Sequence, residues 1–233
     1  MLGLRQDMGD RFLSITPKDI PDFPEDTVET VLVDLAEKDH AALVKAYEEM
    51  PENIKDIRPG TDEMVKLLRM RQQAEFAKAE VIAQMAMEHE ADGLSVFICV
   101  NYVTARLRIE NYLSKHAVPF ANIYGGQHDM ERQKGIDAFQ DNRIHVMVGM
   151  SSACGVALSL HDVKHERPRV SLISPNYSVS ELTQALGRVR RVGGTTATQK
   201  IVLAANSVEE RVKHALDRKK MALDALVDGD LMR

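Results

Sequence analysis

Only two cysteines, Cys99 and Cys154, occur among the 233 residues. They form neither a disulfide framework nor a zinc-ligand spacing, which excludes a disulfide-stapled secreted scaffold and fits a reducing compartment, the cytoplasm or a eukaryotic nucleus. No apolar run approaches the ~18 residues of a membrane span, and the first residues lack the basic-then-apolar pattern of a signal peptide, so neither a membrane protein nor a secreted one is expected. The eight histidines are scattered. His161, Asp162 and His165 come nearest to a metal cluster, yet no further His or Cys joins them, and no metal site is expected. A dinucleotide enzyme is weakly supported because no G-x-G-x-x-G follows an apolar run. Internal repeats and low-complexity segments are missing as well.

A uniform basic coat is also lacking. The net charge is −5, but it is unevenly spread. Residues 1–180 hold 20 basic and 28 acidic side chains, whereas residues 181–220 hold 9 basic and 4 acidic. A local positive field favours one anionic ligand site over broad nonspecific binding.

From about residue 94 the pattern alternates between short β-branched runs and amphipathic helices. Strands are expected at Ser95–Val100, Phe120–Tyr124, His145–Gly149, Val170–Ile173 and Lys200–Ala204. Helices are expected at Tyr102–His116, with Leu107, Tyr112 and Leu113 inward, and at Asp129–Gln140, burying Ile136 and Phe139. Capping boxes at Ser178–Glu181 and Ser207–Glu210 open two more helices, the second reaching about Val227 along a stripe from Val208 and Val212 to Leu223 and Leu226. Such alternation implies an α/β fold with a parallel sheet flanked by helices, and ligands at the loops after the strands' carboxyl ends. Residues 1–90 read differently: Pro17, Pro21 and Pro24, a strand at Glu29–Leu35, a helix at Glu37–Met50, then a long helix at Asp62–His89 whose methionines are core or interface filler.

Four segments carry chemistry. Asn101-Tyr102 ends the first strand of the alternating part. Tyr124-Gly-Gly-Gln127 follows the second, where glycines at 125 and 126 permit positive φ or close backbone approach. Ser151 to Asp162 places hydroxyls beside Gly155 at the end of the third, where side-chain and backbone donors suit phosphate oxygens. The octet Gln184-Ala-Leu-Gly-Arg-Val-Arg-Arg191 puts Gln184, Gly187, Arg188 and Arg191 at i, i+3, i+4 and i+7, one face of a helix, with Leu182, Ala185, Leu186 and Val189 opposite. Two guanidiniums and an amide aimed together suit a polyanion such as a nucleoside triphosphate.

In that order and spacing, residues 91–227 resemble the second RecA-like lobe of a superfamily 2 helicase or translocase. Ser95–Tyr102 resembles motif IV, Ser151–Asp162 motif V, and Gln184–Arg191 the Q-x-x-G-R-x-x-R of motif VI. Within the superfamily the resemblance is closest to Swi/Snf-like ATPases, through Ala153-Cys-Gly155, Arg191-Val-Gly193 and a terminal helix similar to their brace. Cys154, Ala157, Arg190 and Gly194 depart from the usual Gly, Gly, His and Gln. The resemblance implies a mainly helical N-terminal extension over 1–90, the lobe over 91–206 and a brace over 207–233. It implies ATP and Mg²⁺ held mainly on a separate first lobe, in cis or on another chain. Arg188 and Arg191 would be arginine fingers and Gln184 a γ-phosphate sensor; Gly155, Gly187 and Asp162 would border ATP. Asn101, Gly126, Gln127, Ser151 and Ser152 would grip a DNA backbone without reading sequence. Neither G-x-x-x-x-G-K-[ST] nor D-E-x-[HDC] occurs: Gly3–Gly9 lacks the Lys, and Asp62-Glu63 does not end an apolar run. The expectation is half a motor, inactive alone; the other reading is a non-catalytic module that binds DNA or a partner.

Overall fold

Six strands, β1 (Asp26–Val33), β2 (Ser95–Val100), β3 (Phe120–Ile123), β4 (Val146–Met150), β5 (Arg169–Ile173) and β6 (Ala197–Ala204), form one sheet in the order β1-β6-β5-β2-β4-β3. Every neighbouring pair is parallel. The computed structural model describes residues 20–37, 40, 41, 43, 60–154, 158–176 and 178–228. Most of the helix expected at Glu37–Met50, and with it Gly155 and Ala157, lies outside those residues.

The helices α1 (Asp62–Ala91), α2 (Val103–Lys115), α3 (Asp129–Gln140), α4 (Val179–Leu186) and α5 (Val208–Asp228) flank the sheet. Helix α1 starts at Thr61, whose hydroxyl accepts from the Met64 amide at 3.4 Å, with Asp62 and Glu63 complementing the dipole of the first turn. It gives way to a turn with Gly93 at φ +85°, a left-handed position that costs glycine nothing. On α4 the Ser178 hydroxyl accepts from the Glu181 amide at 3.2 Å, and the Glu181 carboxylate is taken by Asn176. Half of the expected capping box is therefore present.

Period-two burial divides the core. Val96, Ile98 and Val100 point to one face with Val146, Val148, Val170 and Leu172, under Ile82, Ala83 and Ala86 of α1 and Ile109 and Leu113 of α2. Phe97 and Cys99 point to the other, with Met147, Ile123, Phe139, Ala185 and Val189. A parallel sheet covered on both faces follows, as the apolar runs imply. Met85 and Met87 pack against the first cluster. Leu107 is a correction: it is 51% exposed, and the inner side of α2 is Ala105, Arg106, Ile109 and Leu113. Leu107 is apolar, but Ala105 and Ile109, two residues to either side, lie about half a turn round the helix from it.

β1 is an integral edge strand, in register with β6 from Asp26 opposite Ala197 to Val33 opposite Ala204. It begins three residues before the expected Glu29. The segment before residue 90 thus contributes an edge strand and the long helix of one face.

A buried ion pair joins α1, β6 and α5. Lys78, fully buried, donates from Nζ to the Val202 carbonyl at 2.6 Å and to both Glu209 carboxylate oxygens at 2.8 and 2.7 Å. Glu209 also accepts from the Ala204 amide at 2.8 Å. All three ammonium donors are spent, the condition under which burial of such a charge is tolerated. Removing one partner strands the other in the core. Lys78→Met is expected to cost about 3–5 kcal/mol, and Lys78→Met with Glu209→Gln to lose less than that single change, as read from urea midpoints at constant m-value.

Candidate functional site

Connections leave the middle of the sheet in opposite directions: β2 leads through α2 toward β3 and β4, and β5 through α4 toward β6. The carboxyl ends of β2 and β5 therefore bound a topological switch point, where open α/β sheets place ligands. Asn101 sits there. Its Nδ2 donates to the Glu75 carboxylate at 2.7 Å and to the Ser174 carbonyl at 3.0 Å, and its Oδ1 accepts from the Ser151 hydroxyl at 2.9 Å. The amides of Asn101 and Tyr102 both donate to Glu75 Oε1 at 2.8 Å. Burial pushes the Glu75 carboxyl up, while nearby Lys78 and these donors pull it back. One carboxylate on α1 thus holds the end of β2 in place and orients the Asn101 amide.

Ser151 and Ser152 follow β4, the first half-buried and bonded to Asn101, the second exposed. Gly126 and Gln127 lie beyond β3, two strands from β2, with Gly126 at φ +81° as its turn requires. Arg132 on α3 donates to the Ala153 carbonyl at 3.0 Å and holds the loop after β4 from that side.

The arginine octet is only partly helical. Helix α4 ends at Leu186, Gly187 is its C-cap, and Arg188 and Val189 lie in a turn. The shared helical face of Gln184 with the arginines is therefore corrected: Gln184 stays on the exposed side of α4, 3.5 Å from the Ser180 hydroxyl. Because Val189 is buried in the second core cluster, the chain turns inward after the cap. The two arginines still converge, through tertiary structure. Arg188 Nη1 and Arg191 Nη2 donate to the same Leu158 carbonyl at 3.2 and 3.1 Å. The Arg188 carbonyl accepts in turn from the Leu160 amide at 2.8 Å. Arg188 is only 6% exposed, and burial with the neighbouring Arg191 charge draws its pKa down.

Beside this pair opens a cleft of about 390 Å³ lined by Phe23, His161, Gly187, Arg190, Arg191 and Val192. Arg190 donates to the Pro24 carbonyl at 2.7 Å, with its guanidinium 4.6 Å from the Phe23 ring centroid. It thereby anchors the segment before β1 as a cleft wall. Gly187 presents bare backbone to the cleft. Asp162 does not line it. That carboxylate is fully buried, accepting from the Arg167 amide at 3.1 Å and the Thr195 hydroxyl at 3.3 Å near buried Arg169. Gly155 lies outside the described residues.

The sequence reading did not name Glu75, Lys78, His161 or Phe23 as parts of the site. A signal for the first two was present: Arg71, Glu75, Lys78 and Ile82 share the buried stripe of α1, where charges need partners.

The sequence profile of the helicase conserved C-terminal domain matches residues 77–193. The chain belongs to that family. This helicase C-terminal domain is 31% identical over 199 residues to a protein of Acanthamoeba polyphaga mimivirus provisionally named an ATP-dependent RNA helicase, L364. The match covers 83% of the chain and 36% of the relative, so the chain spans about a third of that protein's length. Its fold is that of the C-terminal part of the Fun30 ATPase domain, with a TM-score of 0.59 at 14% identity over 83% of this chain and 90% of that one. It is likewise that of the Sulfolobus solfataricus SWI2/SNF2 ATPase C-terminal domain, with 0.56 at 16% identity over 84% and 87%. Domains of this family bind nucleic acid and pair with a first lobe, within helicases and translocases driven by ATP. Among the described residues, no helix is long and apolar enough to cross a membrane.

His161 reports on the cleft. Burial, then Arg191 and Arg169, hold its pKa below the ordinary 6.5, against the pull of Asp162. With the folded pKa below the unfolded one, His161 contributes stability present above pH 6.5 and lost as pH falls through the folded value. An anion beside Arg191 would offset the cationic field. The His161 ring proton, followed by NMR, is expected to titrate below free histidine and to move up when inorganic triphosphate is added; an unmoved midpoint would count against an anion in this cleft.

Proposed function

We propose that this chain is the second lobe of an ATP-driven DNA translocase of the Swi/Snf kind, which brings Arg188 and Arg191 to ATP bound on a first lobe. The observation carrying this reading is the convergence of both guanidiniums on the Leu158 carbonyl at the edge of the 390 Å³ cleft. A shared neutral acceptor uses only part of the Arg191 guanidinium's capacity. Arg191 Nε is buried without a hydrogen-bond partner, so the pair suits an anion that takes the place of Leu158. Phosphates therefore fit the residues present. Mg²⁺ does not: among the described residues no carboxylate lines the cleft, and its ligands belong on the first lobe.

When bound, ATP supplies a γ-phosphoryl group whose transfer develops charge on its oxygens. Arg191, from the cleft wall, is placed to reach those oxygens, and Arg188 reaches them by releasing Leu158. Gln184, on α4, orients the attacking water or senses the γ-phosphate as the lobes close. Guanidiniums at a loose phosphoryl transition state are worth roughly 10³–10⁵ in rate. Gly187 lets the nucleotide approach the backbone. At the switch point Asn101, Ser151 and Ser152, with Gly126 and Gln127 farther along, hold backbone phosphates without reading bases. DNA is proposed as the track on the Swi/Snf resemblance; the mimivirus relative's name points to RNA, so both belong in the assay.

A second reading, a non-catalytic DNA- or partner-binding module, draws on the burial of Arg188. ATPase assays on the chain alone, and on the protein joined to its first lobe, with and without DNA or RNA, separate the two. The chain alone is expected to be inactive and the joined protein to be stimulated by DNA. Arg191→Ala and Arg188→Ala should each lower turnover in the joined protein by roughly 10³-fold or more with unchanged circular dichroism. Turnover retained in both variants would refute the finger assignment, and turnover by the chain alone would refute the need for another lobe.

A further inference from the structure

Helix α1 and the start of α2 carry a second polar groove, separate from the arginine cleft. A cavity of about 400 Å³ opens between α1 and the start of α2, lined by Arg69, Gln72, Gln73, Phe76 and Thr104. Among the described residues, no acidic side chain lines it. Arg69 is exposed and pairs with no acidic side chain among the described residues, and Gln72, Gln73 and Thr104 are exposed as well. The aromatic member is unusual for a solvated helix face: Phe76 is 41% exposed, with the Arg108 guanidinium 4.4 Å from its centroid. Arg108 is held there by Glu80 at 3.1 Å and by the Phe76 carbonyl at 3.1 Å. The ring is thus kept on the surface by a fixed cation.

We propose that this groove is an accessory contact for a single nucleic-acid strand, which continues the track from Asn101 onto α1; the inference rests on the proposed grip at the switch point. Arg69 and the Thr104 hydroxyl suit one phosphate, the Gln72 and Gln73 amides suit a neighbouring phosphate or sugar, and the Phe76–Arg108 stack is a platform for an unpaired base. Position supports continuity. Thr104 is three residues from Asn101, and Glu75, which orients Asn101, is adjacent in sequence to Phe76. Phosphate contacts position a strand, and a base lying on an aromatic face is sequence-tolerant, as translocation requires. A base still paired in a duplex has no free face for Phe76, so the groove favours single strands.

The test is fluorescence anisotropy of the full chain with labelled oligo(dT), oligo(U) and a duplex DNA, across a salt series. Arg69→Glu is expected to weaken both single strands by about tenfold and to reduce the slope of log K against log salt by about one. Phe76→Ala should weaken single strands by roughly fivefold to tenfold and leave the duplex unchanged. Equal losses for dT and U assign the groove to the shared phosphodiester strand; loss for U alone assigns it to the ribose hydroxyl as well. If both variants bind every probe as wild type does, while Asn101→Ala loses affinity, the groove proposal falls and the grip reading stands. If the wild-type chain binds no probe even at low salt, both fall. Both side chains are exposed, and circular dichroism of each variant checks that folding is intact.

Discussion

Lys78 brings a charge to the middle of the structure, and much of the architecture is arranged to accept it. Its ammonium meets a β6 carbonyl and both oxygens of Glu209, which itself ties the end of β6 to the first turn of α5. A buried charge with all its donors satisfied is costly to rearrange, because any alternative docking of α1 or α5 leaves an unpaired ion in a medium of low dielectric. One turn away, Glu75 extends the same polar line to the end of β2, where it takes both backbone amides and the Asn101 side chain. The long first helix therefore sets the position of the terminal helix and of the switch-point loop together.

The loop after β4 links the two halves of the site. Ser151 is bonded to Asn101 near its start, and Arg132 holds the Ala153 carbonyl from α3. Farther on, Leu158 receives both arginines and Leu160 donates to the Arg188 carbonyl. Between them, the Cys154 sulfur lies where a Cβ on Gly149 would be only 2.7 Å away, so glycine is required in β4 for this loop to pack. A movement of the loop at the arginine end has a short covalent path to Ser151 and, through its hydrogen bond, to Asn101, a physical basis for coupling between the two proposed sites.

The middle of the sheet was legible because β2, β4 and β5 are buried on both faces and read as short, largely apolar runs, as in Ser95–Val100 and Val146–Met150. Helix stops and inward faces were less so. Leu107 lies on the solvent side of α2 although it is apolar, and the stripe that matters includes Arg106, whose aliphatic stem is buried while its guanidinium stacks over Tyr124 at 4.3 Å. For the octet, periodicity carried the helix five residues too far, to Arg191 instead of Leu186. Gly187 ends α4 there because Val189 turns into the core.

From the sequence alone came the α/β class, the parallel sheet and the family, since these depend on local pattern and motif spacing. Tertiary structure alone decided that Arg188 and Arg191 meet at Leu158, that Asp162 is occupied with Arg167 and Thr195, and that Phe23 walls the cleft. It also placed Glu75 beneath Asn101. These are contacts between residues distant in the chain or across irregular turns. No periodicity encodes them; they arise only when buried polar groups must find partners inside a packed core.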